Sequence, residues 1–187
     1  PNIRTPGPAK ESSSSYADEL TKAMTWLAED ERTVFLGQAV ACKGTAMTGT
    51  LSGIKENRKV EFPVAEEMQM GLSIGMALQG YIPVTIYPRW NFLLLATNQI
   101  VNHLDKLPVF SDYTPKVIVR VGVGSEQPMY PGEQHIGDFT EAFQAMCDTI
   151  HIERLDEPKQ IMPAYRNAMK RDLSTILVEV GDFYNEK

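Results

Sequence analysis

The chain has 187 residues, 43% apolar and 22% charged, which is the composition of one globular domain able to bury a core without metal or disulfide staples. Its 24 acidic and 18 basic side chains give a formal charge of -6. That argues against nucleic-acid binding by phosphate neutralisation and against an anionic membrane surface. The densest basic cluster, Lys55, Arg58 and Lys59, is short and interrupted by Glu56. Cys42 and Cys147 stand far apart with no CxxC or Cys/His cluster. A thiolate zinc site is therefore unsupported, and a reducing, cytoplasmic setting is expected.

Residues 1–15, rich in Pro, Gly and Ser, read as a flexible leader with no signal-peptide core. The domain proper is expected over 16–187. Leu20, Met24 and Leu27 recur at helical spacing between Tyr16 and Glu29, with Ser15 as N-cap. Thr33 to Leu36 reads as a short buried strand, turned at Gly37. Residues 37–59 read as a long glycine- and threonine-rich connection, a kind often functional, and 60–62 as a second strand. Glu66 to Gln79 predicts a helix apolar almost all round, with Gly71 and Gly75 set for close approach by other backbone. Glycines and Gln69 and Gln79 argue against a membrane span over 68–87.

Tyr81 to Tyr87 predicts the next strand, and Trp90 to Leu107 one helix ending before Pro108. Lys116 to Val123 is a strongly apolar strand, followed by a glycine-rich loop over 122–138. A helix over 139–146, a strand over 150–154, a helix over 157–170 despite Pro163 and a strand over 174–180 complete the chain. Strands alternating with helices predict a three-layer α/β fold, a mostly parallel sheet flanked by helices. The last strand lies near the end of the sequence, so no second domain is expected to follow.

Several chemistries lack their motifs. No GxGxxG follows a strand, and there is no P-loop lysine and no GxSxG elbow. Ser125 follows Gly-Val-Gly without an identifiable acid and histidine, so a serine hydrolase is a remote alternative. Glu66 and Glu67 open the apolar helix. Acids in a first turn serve the positive end of the helix. Adjacent residues also point about 100° apart, so one can face a cleft at the strand ends, where a desolvated carboxylate exchanges protons. His135 is the one histidine in the glycine-rich loop, and either a proton carrier or an ordinary surface residue. Arg89 and Trp90 follow a strand end, placed either for ring stacking and anion binding or for packing.

The run Phe62-Pro-Val-Ala-Glu66-Glu-Met-Gln-Met-Gly71-Leu-Ser-Ile-Gly75-Met-Ala-Leu-Gln-Gly80 resembles the pyrimidine-binding domain of thiamine-diphosphate enzymes, in the group of transketolase and the beta subunits of 2-oxoacid dehydrogenases. The likeness continues through Asn98-Gln-Ile-Val-Asn102, Gly132-Glu-Gln-His135 and Glu179. It implies that Glu66, not Glu67, contacts N1′ of the aminopyrimidine, and that His135 is an active-site histidine. It further implies cofactor activation to the ylid for C–C cleavage or transfer on a ketose phosphate or a 2-oxo acid.

Two departures stand out. Arg89-Trp90-Asn91-Phe92 replaces an aromatic followed by aspartate, so Tyr87, Trp90 or Phe92 is left to flank the pyrimidine. Arg89 then either meets an acidic substrate group or marks altered cofactor binding. The GDG run with its paired asparagine is also missing, since Gly137-Asp-Phe and Gly181-Asp-Phe do not match it. The resemblance thus implies one third of an enzyme, with Mg2+ and the diphosphate held by a partner subunit carrying GDG, in a heterotetramer or larger. A non-catalytic regulatory or structural subunit keeping the fold is the alternative.

Overall fold

The computed structural model describes residues 14–42, 45–124 and 130–185. In chain order its elements are α1 (Tyr16–Leu27), β1 (Thr33–Gly37), α2 (Ala46–Gly49), β2 (Lys59–Glu61), α3 (Glu66–Leu78), β3 (Ile82–Tyr87), α4 (Trp90–Leu93), α5 (Leu107–Phe110), β4 (Ile118–Val123), α6 (Thr140–Met146), β5 (His151–Leu155), α7 (Pro158–Lys170) and β6 (Thr175–Val180). The strands form one sheet, β2-β1-β3-β4-β6-β5, and every pairing is parallel.

β3, β4 and β6 are buried along their whole length. That is why they read as continuous apolar runs: both faces of a parallel sheet are covered. Alternate residues feed two cores. Phe35, Val84, Ile86, Ile118 and Leu177 pack with α1 and α7 on one face. Tyr87, Val119, Val121, Ile176 and Val178 pack with α3, α4 and Phe143 of α6 on the other. The expected three-layer architecture is present.

Ser15 caps α1, its Oγ accepting from the Asp18 N–H at 3.2 Å, and Ser14 Oγ accepts from Lys22 Nζ at 2.9 Å. These two serines, expected in the leader, thus contact α1, and the rest of the expected leader, residues 1–13, lies outside the described residues. The 37–59 connection carries α2 and a 3-10 turn over Glu56–Arg58. Its first part is gathered by one side chain: the Glu61 carboxylate accepts from the N–H groups of Ala39, Val40 and Ala41 at 2.7, 2.9 and 2.8 Å. The second strand, expected over 60–62, is the three-residue edge strand β2 at Lys59–Glu61.

The single helix expected over 90–107 is not formed. Its path runs through α4, a 3-10 turn at Leu94–Ala96 and a π-helical stretch at Gln99–Leu104. The changes of winding keep Leu93, Ala96, Ile100 and Leu104 in the core while Leu94 and Leu95 stay outside. The wide turn ends where the Asp105 N–H reaches the Ile100 carbonyl at 2.9 Å. Pro108 does not end a helix. It sits in the first turn of α5, where its missing N–H costs nothing.

Candidate active site

The register pairs Gly37 with Ile86 and Tyr87 with Val121, so the carboxyl ends of β1, β3 and β4 share one edge of the sheet. From β1 the chain goes outward to β2, then returns across β1 to β3. Such a reversal of strand order leaves a crevice beyond the strand ends, the usual ligand position in open α/β sheets. Backbone closes tightly there. A Cβ on Gly37 would lie 2.4 Å from the Ile86 carbonyl oxygen, and its φ of +152° suits glycine.

α3 starts at this crevice and is fixed to β3 by polar contacts. Gln69 Nε2 donates to Thr85 Oγ1 at 2.9 Å and to the Ile86 carbonyl at 3.1 Å. The Tyr87 hydroxyl donates to the main-chain oxygen of Glu66 at 3.3 Å. Burial pushes that hydroxyl's pKa up, less a contribution from Thr85, and the negative Glu66 adds to the rise.

Glu66 is the first residue of α3 and only 8% exposed, whereas Glu67 faces solvent. The two adjacent acids thus divide as the helical rotation between them predicts. Beside Glu66 lies an open hollow of about 380 Å³, lined by Ala65, Glu66, Glu67, Met68 and Leu95. Among the described residues no donor is hydrogen-bonded to the Glu66 carboxylate. A carboxylate that lines such a hollow suits a ligand that presents N–H into it.

The second group of expected residues lies just after β3. Arg89 Nη1 donates to the carbonyls of Gly124 at 2.9 Å and His135 at 3.0 Å. Half-burial lowers its guanidinium pKa, and nearby Asp182 opposes the shift. The rings of Phe92 and His135 meet edge to face, with centroids 5.6 Å apart at 83°. His135 itself sits in a 3-10 turn over Glu133–His135, half-buried.

Two of the aromatics expected beside a pyrimidine are closed into the core. Trp90 is fully buried, its indole packed 4.8 Å from the Phe143 ring, and Tyr87 is 1% exposed. Only Phe92 of the three keeps exposed surface. The expected residues thus fall into two groups, Glu66 with Tyr87 and Arg89 with Phe92 and His135. Ser125 lies outside the described residues.

Gly71 and Gly75 do not meet close backbone as expected. Gly71 has only the Gln99 side chain at 3.9 Å, and nothing lies within 4 Å of a Cβ on Gly75. α3 carries more apolar residues than the core beneath it can cover, so Met68, Leu72 and Leu78 remain exposed.

Sequence reasoning missed two features. Gln69 is the polar position inside an apolar helix, which was its only signal. The other is a buried ion pair between neighbouring strands. Arg120 Nε and Nη2 donate to Glu179 Oε1 and Oε2 at 2.6 and 2.9 Å, and both side chains are fully buried. The Tyr165 hydroxyl donates to Glu179 Oε1 at 2.6 Å, and the Tyr184 hydroxyl also bonds the carboxylate. Burial alone would lower the Arg120 pKa, but the Glu179 charge holds it well above the usual value. Opposite charges placed singly in two apolar strands were the available sign.

Fold and site together define a parallel α/β domain with Glu66 at the crevice beyond its strand ends. Residues 13–181 match the family described as transketolase, pyrimidine binding domain, and the chain belongs to that family. The 2-oxoisovalerate dehydrogenase subunit beta of Bacillus subtilis (strain 168) is 32% identical over 116 residues, covering 59% of this chain and 36% of that protein. The pyruvate dehydrogenase E1 component subunit beta of Gracilaria tenuistipitata var. liui is 28% identical over 178 residues, covering 91% of this chain and 54% of that protein. A solved structure titled "Split gene transketolase, inactive beta4 tetramer" shares the fold with a TM-score of 0.70 and 16% identity, covering 89% of this chain and 51% of that one. The chain spans about a third to a half of the curated relatives it matches. Among the described residues no three His, Cys, Asp or Glu side chains group as a metal site, and no helix is long and apolar enough to cross a membrane.

Proposed function

We propose that the chain is the pyrimidine-binding subunit of a split thiamine-diphosphate enzyme acting on a ketose phosphate or a 2-oxo acid. A partner subunit carrying GDG would hold the diphosphate and Mg2+, in a heterotetramer or larger. The observation that carries this reading is Glu66, a mostly buried residue at the crevice whose carboxylate has no donor among the described residues. When bound, thiamine diphosphate supplies a nucleophilic carbon and an electron sink for breaking or transferring a C–C bond beside a carbonyl.

This chain's own contribution is electrostatic. Glu66 would accept a hydrogen bond from the protonated N1′ of the aminopyrimidine, in a setting whose low dielectric strengthens it. Tyr87 and Gln69 hold the start of α3, and so Glu66, against β3. Phe92 would offer the aromatic surface that Tyr87 and Trp90 do not. His135 would pass a proton to or from substrate. Exposed Met68 and Leu95, which line the hollow, support contact with a partner chain, which would exclude water from the site. The two free cysteines support a reducing, cytoplasmic setting.

Arg89 prompted the reading of a non-catalytic subunit. It does not line the hollow and is engaged by two loop carbonyls, which weakens that reading. The test is Glu66→Gln in the co-purified pair of subunits. Turnover is expected to fall by about a hundredfold or more, with assembly intact. Unchanged turnover overturns the assignment.

A further inference from the structure

The stretch from Pro88 into α4 is tied to the chain around His135. Trp90 goes inward as an anchor against Phe143. The residues around it all reach the segment that bears His135. Arg89 Nη1 binds the carbonyls of Gly124 and His135, which joins the end of β4 to the His135 turn. Asn91 Oδ1 accepts from the Gly137 N–H at 3.2 Å. Phe92 holds the His135 ring edge to face. The whole segment sits hard on β4, because a Cβ on Gly122 would lie 2.5 Å from the Pro88 carbonyl oxygen.

We infer that Arg89, with Asn91 and Phe92, is a positioning residue that sets where the His135 imidazole stands. The chemistry of the side chain matches the task. A single guanidinium nitrogen carries two N–H groups, so one Nη1 serves two carbonyls in fixed directions. The bonds are charge-assisted and half-buried, which makes them stronger than neutral ones. A lysine ammonium is a compact charge on a flexible stem and does not reproduce the bridge. An arginine at this place, where the family resemblance expects an aromatic, is thereby explained without a ligand. Its charge is taken up by the protein's own loop. The consequence for activity rests on the role proposed above for His135; the positioning itself does not.

The test is nuclear magnetic resonance of the three imidazoles in the full chain. Native His135 ring signals should be displaced from free-imidazole positions by the Phe92 ring, and Phe92→Leu should remove the displacement. Arg89→Met should move the His135 signals toward those of Phe92→Leu, leaving His103 and His151 in place. Signals of His135 unmoved by Arg89→Met overturn the proposal. Should Arg89→Met fail to fold, Arg89→Lys decides instead: a shifted His135 ring supports the bridge, and an unshifted one overturns it.

Turnover of the assembled enzyme is then compared. A loss of about tenfold to a hundredfold in kcat with Arg89→Met, shared by Arg89→Lys, ties the position of His135 to catalysis. If the imidazole moves and kcat does not, the positioning role stands and the role proposed for His135 falls.

Discussion

Glu66, a residue 8% exposed, gives up part of its hydration on folding, and its carboxylate accepts no hydrogen bond from the described residues. Glu66 recovers part of that cost from the positive end of α3, worth about 0.3–1 kcal/mol for an acid in the first turn. A structural acid would be expected to have donors, as Glu61 has with the N–H groups of Ala39, Val40 and Ala41. Glu66→Gln should therefore leave the thermal midpoint unchanged or slightly higher, as scanning calorimetry would show. A loss greater than about 2 kcal/mol would reveal a structural partner and count against a ligand-facing carboxylate. On the proposed reading, Glu66→Gln lowers activity without lowering stability.

At the scale of elements, the β1/β3 crevice is held by apolar strands and the Gln69 contacts, while Arg120 and Glu179 tie β4 to β6 on the opposite core. Arg120→Met leaves Glu179 buried with only tyrosine hydroxyls, and should cost about 3–5 kcal/mol in urea unfolding. Replacing both, Arg120→Met with Glu179→Met, should recover at least half of that loss. A double variant as damaged as the single one would contradict this account. Asp105 closes the π-helical turn onto the 148–150 segment, accepting from the N–H groups of Asp148, Thr149 and Ile150 at 3.0, 2.7 and 3.2 Å. Burial alone would raise its pKa, but these bonds and Lys106 bring it from 3.8 to about 2. A carboxylate lowered on folding stabilises above its unfolded pKa and loses that contribution as pH falls through the folded one. About 2 kcal/mol should disappear between pH 4 and 2, and Asp105→Asn should show a shallower acid limb over that range.

Much of the element order is legible because its signals are local. The apolar runs of β3, β4 and β6, the Ser15 cap and the acids opening α3 each sit where their chemistry says. The stretch from Trp90 to Leu107 is not legible. Helical periodicity cannot show a change of winding whose cause is the shape of the core underneath. The helix start marks Glu66 and Glu67 as a pair, and only the family resemblance chooses Glu66 between them. Tyr87, Trp90 and Phe92 could not be sorted into core and site, because which way an aromatic turns after a strand depends on neighbours such as Phe143, distant in sequence. The engagement of Arg89 escaped for the same reason: its acceptors are backbone carbonyls, which carry no residue signature.

At the scale of the molecule, the crevice is open at Glu66 and rimmed by exposed Met68 and Leu95. The curated relatives are two to three times longer than the stretch they share with this chain. On the proposed reading, a companion chain would supply the rest of the cofactor site. The most direct measurement is the thiamine diphosphate content of the chain purified with its native companion, read by thiochrome fluorescence and repeated with Glu66→Gln. The account predicts about one cofactor per copy of this chain in the native complex and a marked loss with the variant. No cofactor in the native complex, even after thiamine diphosphate and Mg2+ are added, would contradict it.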